Sequence, residues 1–184
     1  MSTTRTDTRQ QILDVAGDLF TQRGYAGTSL ADIAERLHIT KAALYYHFRS
    51  KAAILDALLA EPLEAYARLA ERAAEGTTAP ADLLAAVIDT TITARSLFEL
   101  VGNDPSARAL MDAKPARTTS AWINKTIVAA LAGPEPTSTA HVRAHAAYTV
   151  AKLGTLNLLA EAEDGLDDAE RAELLAAALR AFHA

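Results

Sequence analysis

Cysteine is absent from the 184 residues. That excludes disulfides and thiolate metal sites and makes a reducing cytoplasm the expected compartment. Aromatic residues are scarce, at 5%, and the β-branched residues that strands favour are sparse as well. Alanine and leucine, both good helix formers, supply much of the apolar content, so the chain is expected to be all-α. No apolar stretch approaches ~20 residues, and no apolar run follows an N-terminal basic patch. Neither a membrane span nor a signal peptide is expected. An excess of positive charge is missing too: the net charge is −5 and the pI about 5.5, which argues against a generally basic nucleic-acid coat protein.

The length suffices to bury a substantial core and fits one or two small domains. Charge is uneven along it. Residues 1–51 carry seven Lys/Arg against five acidic residues, a net +2, and residues 52–184 carry eleven against eighteen, a net −7. A mildly basic head on an acidic body suits a protein whose head alone touches phosphate. The expected division follows it, with residues 1–51 as one domain and 52–184 as the other.

Helix signals are dense. Residues 1–7 read as a frayed polar tail, and Thr8-Arg-Gln-Gln11 has capping-box spacing ahead of the stripe Ile12, Ala16, Leu19, Phe20. Gly24 closes that helix. Thr28 or Ser29 caps the next, with Asp32 at capping-box distance from Ser29. Thr40 caps a third helix reaching about Phe48, and Ser50 a fourth that runs to about Ala74 with Pro62 inside it. Further helices are expected from Pro80 to about Val101, from Pro105, over about 117–132 and 138–162, and from the capping box Asp167–Glu170 to the C-terminus, about nine in all.

The second and third helices are joined by His38-Ile39, the length of a helix-turn-helix. Leu44 and Phe48 give the third helix a stripe to bury, while Thr40, Lys41, Tyr45, Tyr46 and His47 offer hydrogen-bonding groups elsewhere on it. Leu19, Phe20, Ile54, Leu55 and Leu58 would form the apolar platform beneath. Adjacent helical positions point about 100° apart, so at most one of the two tyrosines is expected to be deeply buried. A short helix held down on one side and decorated on the other is what a DNA major groove accepts.

Residues 9–58 resemble the N-terminal domain of the tetracycline-repressor (TetR) family of bacterial transcriptional regulators. The resemblance rests on Ile12-Leu-Asp-Val-Ala-Gly-Asp-Leu-Phe20, Arg23-Gly-Tyr25, Thr28-Ser-Leu-Ala-Asp-Ile-Ala34 and above all Leu44-Tyr-Tyr-His-Phe-Arg-Ser-Lys51. It implies a homodimeric, non-enzymatic repressor on a palindromic double-stranded DNA operator, with C-terminal helices that dimerise and bind a small-molecule effector. No cofactor is implied. By position, Thr28, Ser29 and Thr40 would touch phosphate, and Lys41, Ala42 and Ala43 would face the groove floor. Tyr45, Tyr46 and His47 would position the helix against the backbone, and Lys51 would clamp phosphate. This chain departs from the family's habit of glycine at two places, His38 in the turn and Ala42 in the third helix. Histidine tolerates a positive φ less well than glycine.

The remainder offers weaker candidates. Thr90, Thr91 and Arg95 stand out as polar groups on the fifth helix, and Phe98, Met111, Trp122 and Tyr148 would line the same effector pocket. The alternatives are a solvated helix face for the former and plain core for the latter. His141 and His145 are four apart, a spacing that can chelate a metal, yet Val142 follows where a metalloprotease pattern needs Glu. They are expected to be ordinary histidines, with no metal bound. Pro62 is either a hinge or a static bend. Stripes on the last two helices are expected to serve partly as core and partly as a four-helix dimer interface. An activator of the same fold, a helical enzyme, and an adaptor without DNA binding are the alternatives to a repressor.

Overall fold

The computed structural model describes residues 3–95, 104–112, 119–162 and 165–184, with side chains for all of these but 3–7 and 111–112. Every regular element among them is helical: α1 (Thr3–Arg23), α2 (Leu30–Arg36), α3 (Lys41–His47), α4 (Lys51–Ala74), α5 (Pro80–Thr93), α6 (Pro105–Asp112), α7 (Ser120–Ala132), α8, and α9 (Asp168–His183). Helix α8 is α-helical over Ser138–Thr149, passes through a π-helical turn at Val150–Gly154, and continues as α-helix over Thr155–Glu161. The all-α expectation and the count of nine hold among the described residues.

Most boundaries follow their caps. Ser29 and Asp32 form the expected capping box, and Asp167 and Glu170 form another. Thr40 Oγ1 accepts the Ala43 N–H at 3.1 Å, and Ser50 Oγ accepts the Ala53 N–H at 3.1 Å. Thr8 stands inside a helix rather than at its start: α1 begins at Thr3, because no glycine or proline in residues 3–7 stops the helix from extending backwards. Helix α5 ends at Thr93, short of the expected Val101. Threonine hydroxyls in its last turns turn back onto the chain, Thr91 to Val87 O at 2.7 Å and Thr93 to Asp89 O at 2.9 Å, a pattern that weakens a helix.

The chain divides into two compact units, residues 1–61 with 96–114 and residues 62–95 with 115–184. The division falls inside α4 at Pro62, through which that helix runs unbroken. In the first unit Ile12, Ala16, Leu19, Phe20, Ile33, Leu44, Phe48, Ile54 and Leu55 are buried. Leu58, expected in that platform, is only half-buried, and the fully covered leucine is its neighbour Leu59.

In the second unit α9 packs along α8, α7 packs on α8, and α5 meets α9 and the π turn. Gly154 lets α8 and α9 approach: a Cβ there would stand 2.9 Å from Leu174 Cδ2. Arg171 grips Asp89 through two bonds of 2.6 and 2.7 Å, tying α9 to α5. Both ends are partly exposed, so the pair contributes at most ~1 kcal/mol.

Candidate nucleic-acid interface

Helix α3 is seven residues long and takes its place from one buried stripe. Leu44 is 0% and Phe48 4% exposed, while Tyr45 and Tyr46 stand 51% and 70% exposed on the other side. Neither tyrosine is core. The half-buried His47 ring meets the Tyr46 ring edge-on at 5.3 Å. Lys41, Ala42 and Ala43 in the first turn are all exposed. Thr40 is exposed too, and because its oxygen accepts the Ala43 N–H, its hydroxyl hydrogen is left to donate outward. An ammonium, two methyl groups and two phenols therefore share a surface fixed from behind by two apolar anchors. Large aromatic side chains at such exposure suit contact with a partner rather than with water.

The turn before α3 is made as the spacing predicted, at a conformational cost. His38 has φ 55° and is the non-glycine residue with positive φ among the described residues. Its N–H bonds Glu35 O at 3.0 Å, and the Ile39 N–H bonds Ala34 O at 3.0 Å.

Three expected phosphate ligands are occupied otherwise. Thr28 is buried, and its hydroxyl faces two main-chain carbonyls, Leu19 O at 3.2 Å and Gly24 O at 3.0 Å. It fastens the α1–α2 loop to α1, which corrects the expected phosphate contact of this hydroxyl. Ser29 is exposed, but its hydroxyl donates to the Asp32 carboxylate at 2.7 Å and accepts the Asp32 N–H at 3.2 Å. The hydroxyl bond first, and then the Ser29 N–H, which donates to the same carboxylate at 2.7 Å, hold the Asp32 carboxyl below its ordinary range. A carboxylate thus stands at the α2 N-terminus, where a phosphate was expected. Lys51 turns inward: Nζ donates to Tyr25 O at 2.5 Å and Thr28 O at 2.7 Å and lies 4.2 Å from the Tyr25 ring centre. It clamps protein carbonyls rather than standing out as a phosphate clamp.

Sequence reasoning placed Asp104 with Pro105 at the start of a helix and missed its second role. Its carboxylate accepts the Ala26 N–H at 2.9 Å, and also those of Ser106 at 2.8 Å and Ala107 at 3.3 Å, so one side chain caps α6 and holds the α1–α2 loop. These bonds, led by that from Ala26, hold its carboxyl below the ordinary range. The pattern Asp104-Pro105 announced the cap but not the distant partner.

The effector candidates separate. Thr91 is buried and bonded to the Tyr66 hydroxyl at 2.6 Å. Tyr148 is buried, and its hydroxyl donates to Asn124 Oδ1 at 2.5 Å. Arg95 is half-buried and reaches Ala162 O at 3.4 Å. Thr90 and Trp122 are half-buried. Met111 falls in the first unit, in α6, with its side chain outside the described set, and Phe98 lies outside the described residues altogether. Tyr66, Asn124 and Lys152, which join Thr91 and Tyr148 inside the second unit, were missed. The signal was present: Tyr66 and Lys152 are polar interruptions of the apolar stripes on α4 and α8. His141 and His145 are exposed, with ring centres 4.9 Å apart, and no cluster of three metal-ligating residues occurs among the described residues.

Comparison with known proteins agrees with this geometry. Residues 12–58 match the family model described as bacterial regulatory proteins, tetR family, so this stretch is similar to the N-terminal domain of those regulators. The HTH-type transcriptional regulator TtgR of Pseudomonas putida is 46% identical over 69 residues, covering 38% of this chain and 32% of TtgR. The biofilm operon icaADBC negative transcriptional regulator IcaR of Staphylococcus aureus is 50% identical over 48 residues, 26% of each chain. The likeness thus spans about a third or less of these curated relatives, both named as transcriptional regulators. The fold extends further: the ketosteroid transcriptional regulator KstR2 of Mycobacterium tuberculosis superposes with a TM-score of 0.66 over 96% of this chain and 93% of its own, at 18% identity. No helix among the described residues is long and apolar enough to cross a membrane.

Proposed function

We propose that this chain, carrying the DNA-binding domain of TetR-family regulators, works in the cytoplasm as a homodimeric transcriptional repressor that a small-molecule effector releases from a palindromic operator. The observation that carries the reading is the α3 surface, where Tyr45 and Tyr46 stand exposed opposite the buried Leu44. Lys41 would donate to guanine, and the Ala42 and Ala43 methyls would meet thymine methyls. Thr40, Tyr45, Tyr46 and His47 would set the helix against the phosphates. Thr28, Ser29 and Lys51 would act through the loop they hold rather than by touching DNA.

Support for a dimer comes from α8, where Val142 and Leu153 are 65% and 50% exposed and Ala146 and Thr149, also exposed, lie between them. A second copy would cover this stripe and place the two α3 helices in successive major grooves, roughly 34–36 Å apart. Repression rather than activation is supported by IcaR, described as a negative regulator. Effector release requires tighter binding to the DNA-incompetent form, since equal affinity shifts no equilibrium.

The test is a gel shift of the purified protein on the DNA flanking its own gene, with sedimentation of the same sample. A dimer retarding a palindromic fragment at low salt is expected. A folded protein that retards no flanking segment would refute the reading.

A further inference from the structure

His141 and His145 stand four positions apart on α8, inside its α-helical stretch Ser138–Thr149. No other two of the five histidines have that spacing. Four residues make about one helical turn, so both side chains leave the helix on one face. Both residues are exposed, and their ring centres are 4.9 Å apart with the ring planes at 75°. Among the described residues, neither imidazole hydrogen-bonds or pairs with a charged group. None of the positions three or four away from either histidine is acidic or basic. Arg143, the charged residue between them, is half-buried and leaves the helix on the opposite side.

Spacing alone does not distinguish a chelating pair from ordinary histidines; the distance and the surroundings do. Zinc holds an imidazole nitrogen at about 2.0–2.1 Å, which puts the ring centre about 3.2 Å from the ion. Two such rings on one ion have centres about 4.5 Å apart at a right angle and about 5.2 Å apart at the tetrahedral angle. The observed 4.9 Å falls between those limits. Edge-to-face packing also permits the separation, but it draws its benefit from buried area, which two exposed rings lack.

We propose that His141 and His145 chelate one divalent late transition ion, nickel, copper or zinc, with water on the positions the protein leaves open. Imidazole nitrogen suits these ions, whereas magnesium and calcium seek oxygen. Thr137 caps the helix at its start, so the two ligands are set on one formed turn and little order has to be gained on binding. No cluster of three metal-ligating residues occurs among the described residues, which makes this an open site rather than a closed structural one. Val142 and Ala146 follow the two histidines by one position, about 100° round the helix. The pair therefore borders the exposed α8 stripe instead of lying on its centre line. The site lies within one helix and does not depend on the regulatory reading above.

The experiment takes the untagged full chain, stripped with a chelator and returned to metal-free buffer near neutral pH. Nickel chloride is titrated in by calorimetry, with thermal melting of the same samples. One nickel ion per chain is expected, bound about tenfold or more tighter than by H141A or H145A, because each variant keeps only one of the two ligands. Nickel should raise the melting temperature of the parent more than that of either variant, and magnesium at the same concentration should leave it unchanged. Alanine suits an exposed helical position, so both variants should fold. In the unaltered chain, paramagnetic broadening of amide signals by nickel should centre on Ser138–Thr149, which locates the ion without any substitution. No nickel binding up to about 1 mM, an affinity unchanged in both variants, broadening centred on His38, His47 or His183, or an equal response to magnesium would each overturn the proposal.

Discussion

Asp104 accepts the backbone N–H of Ala26 at 2.9 Å, across 78 residues of chain. The bond joins the start of α6 to the loop between α1 and α2, the same loop that Lys51 and Thr28 hold from other directions. The loop sets where α2 begins, and α2 with its turn sets α3. The aim of the exposed α3 surface thus depends on side chains that are not part of it.

Asp104→Ala should destabilise the N-terminal unit by ~1–3 kcal/mol, because it leaves the Ala26 N–H and the α6 N-terminus without their acceptor. The lowered carboxyl adds a pH signature. Its contribution is complete above the ordinary carboxylate pKa of about 4 and is lost as pH falls through the lower folded value. Urea denaturation of parent and variant at pH 7 and at pH 3 checks both parts; an unchanged midpoint at pH 7 would show that the bond is dispensable.

His38→Gly should stabilise the protein by about 0.5–1 kcal/mol. A φ of 55° is strained for histidine, and relief of that strain outweighs the extra chain entropy of glycine. His38→Val should cost more than the glycine variant gains, since a β-branched residue is poorer still at positive φ. Denaturation midpoints rank the three proteins, and valine above histidine would contradict the account.

Lys51→Ala and Lys41→Ala should separate in their salt dependence. Exposed Lys41 would release a counterion on binding DNA, so its loss should change the slope of log affinity against log salt, by about one if it meets phosphate, or alter base preference if it meets guanine. Lys51 donates to protein carbonyls, so its loss should lower thermal stability and affinity together while leaving the slope close to that of the parent. A slope change of about one in Lys51→Ala would restore it as a phosphate ligand.

Lys152 should leave a mark on alkaline stability. Its folded value of about 8 lies below the ordinary 10.5, so between those limits the unfolded chain binds more protons and stability rises with pH. The difference corresponds to roughly 3 kcal/mol at full effect. Parent minus Lys152→Met stability, followed from pH 7 to 10.5, should climb toward zero or above; a flat difference would mean that the ammonium is not desolvated.

The readable features of this chain were the short-range ones. Ser29, Thr40, Ser50 and Asp167 cap the helices their spacing marked, since a cap and its target lie three residues apart. The apolar anchors Leu44 and Phe48 announced which side of α3 is buried, and the exposure of both tyrosines follows from them. The positive φ at His38 was announced by the resemblance, through the glycine that the family commonly has at that place in the turn. Thr8 misled because a capping-box spacing inside a polar, glycine-free stretch cannot by itself stop a helix from starting earlier.

By itself, then, the sequence determined an all-helical chain with a helix-turn-helix head and a decorated third helix, because period, cap and turn act within a few residues. Tertiary structure alone decided which polar groups remain for a ligand. Thr28 found its acceptor 9 residues away, Lys51 26, Lys152 28 and Asp104 its donor 78 away. A buried polar group must find a partner wherever the fold brings one, and no local pattern records which partner that is. Thr28 and Lys51 thereby spend their polar groups on protein carbonyls, and Lys152, with no motif of its own, meets Asn124 inside the second unit.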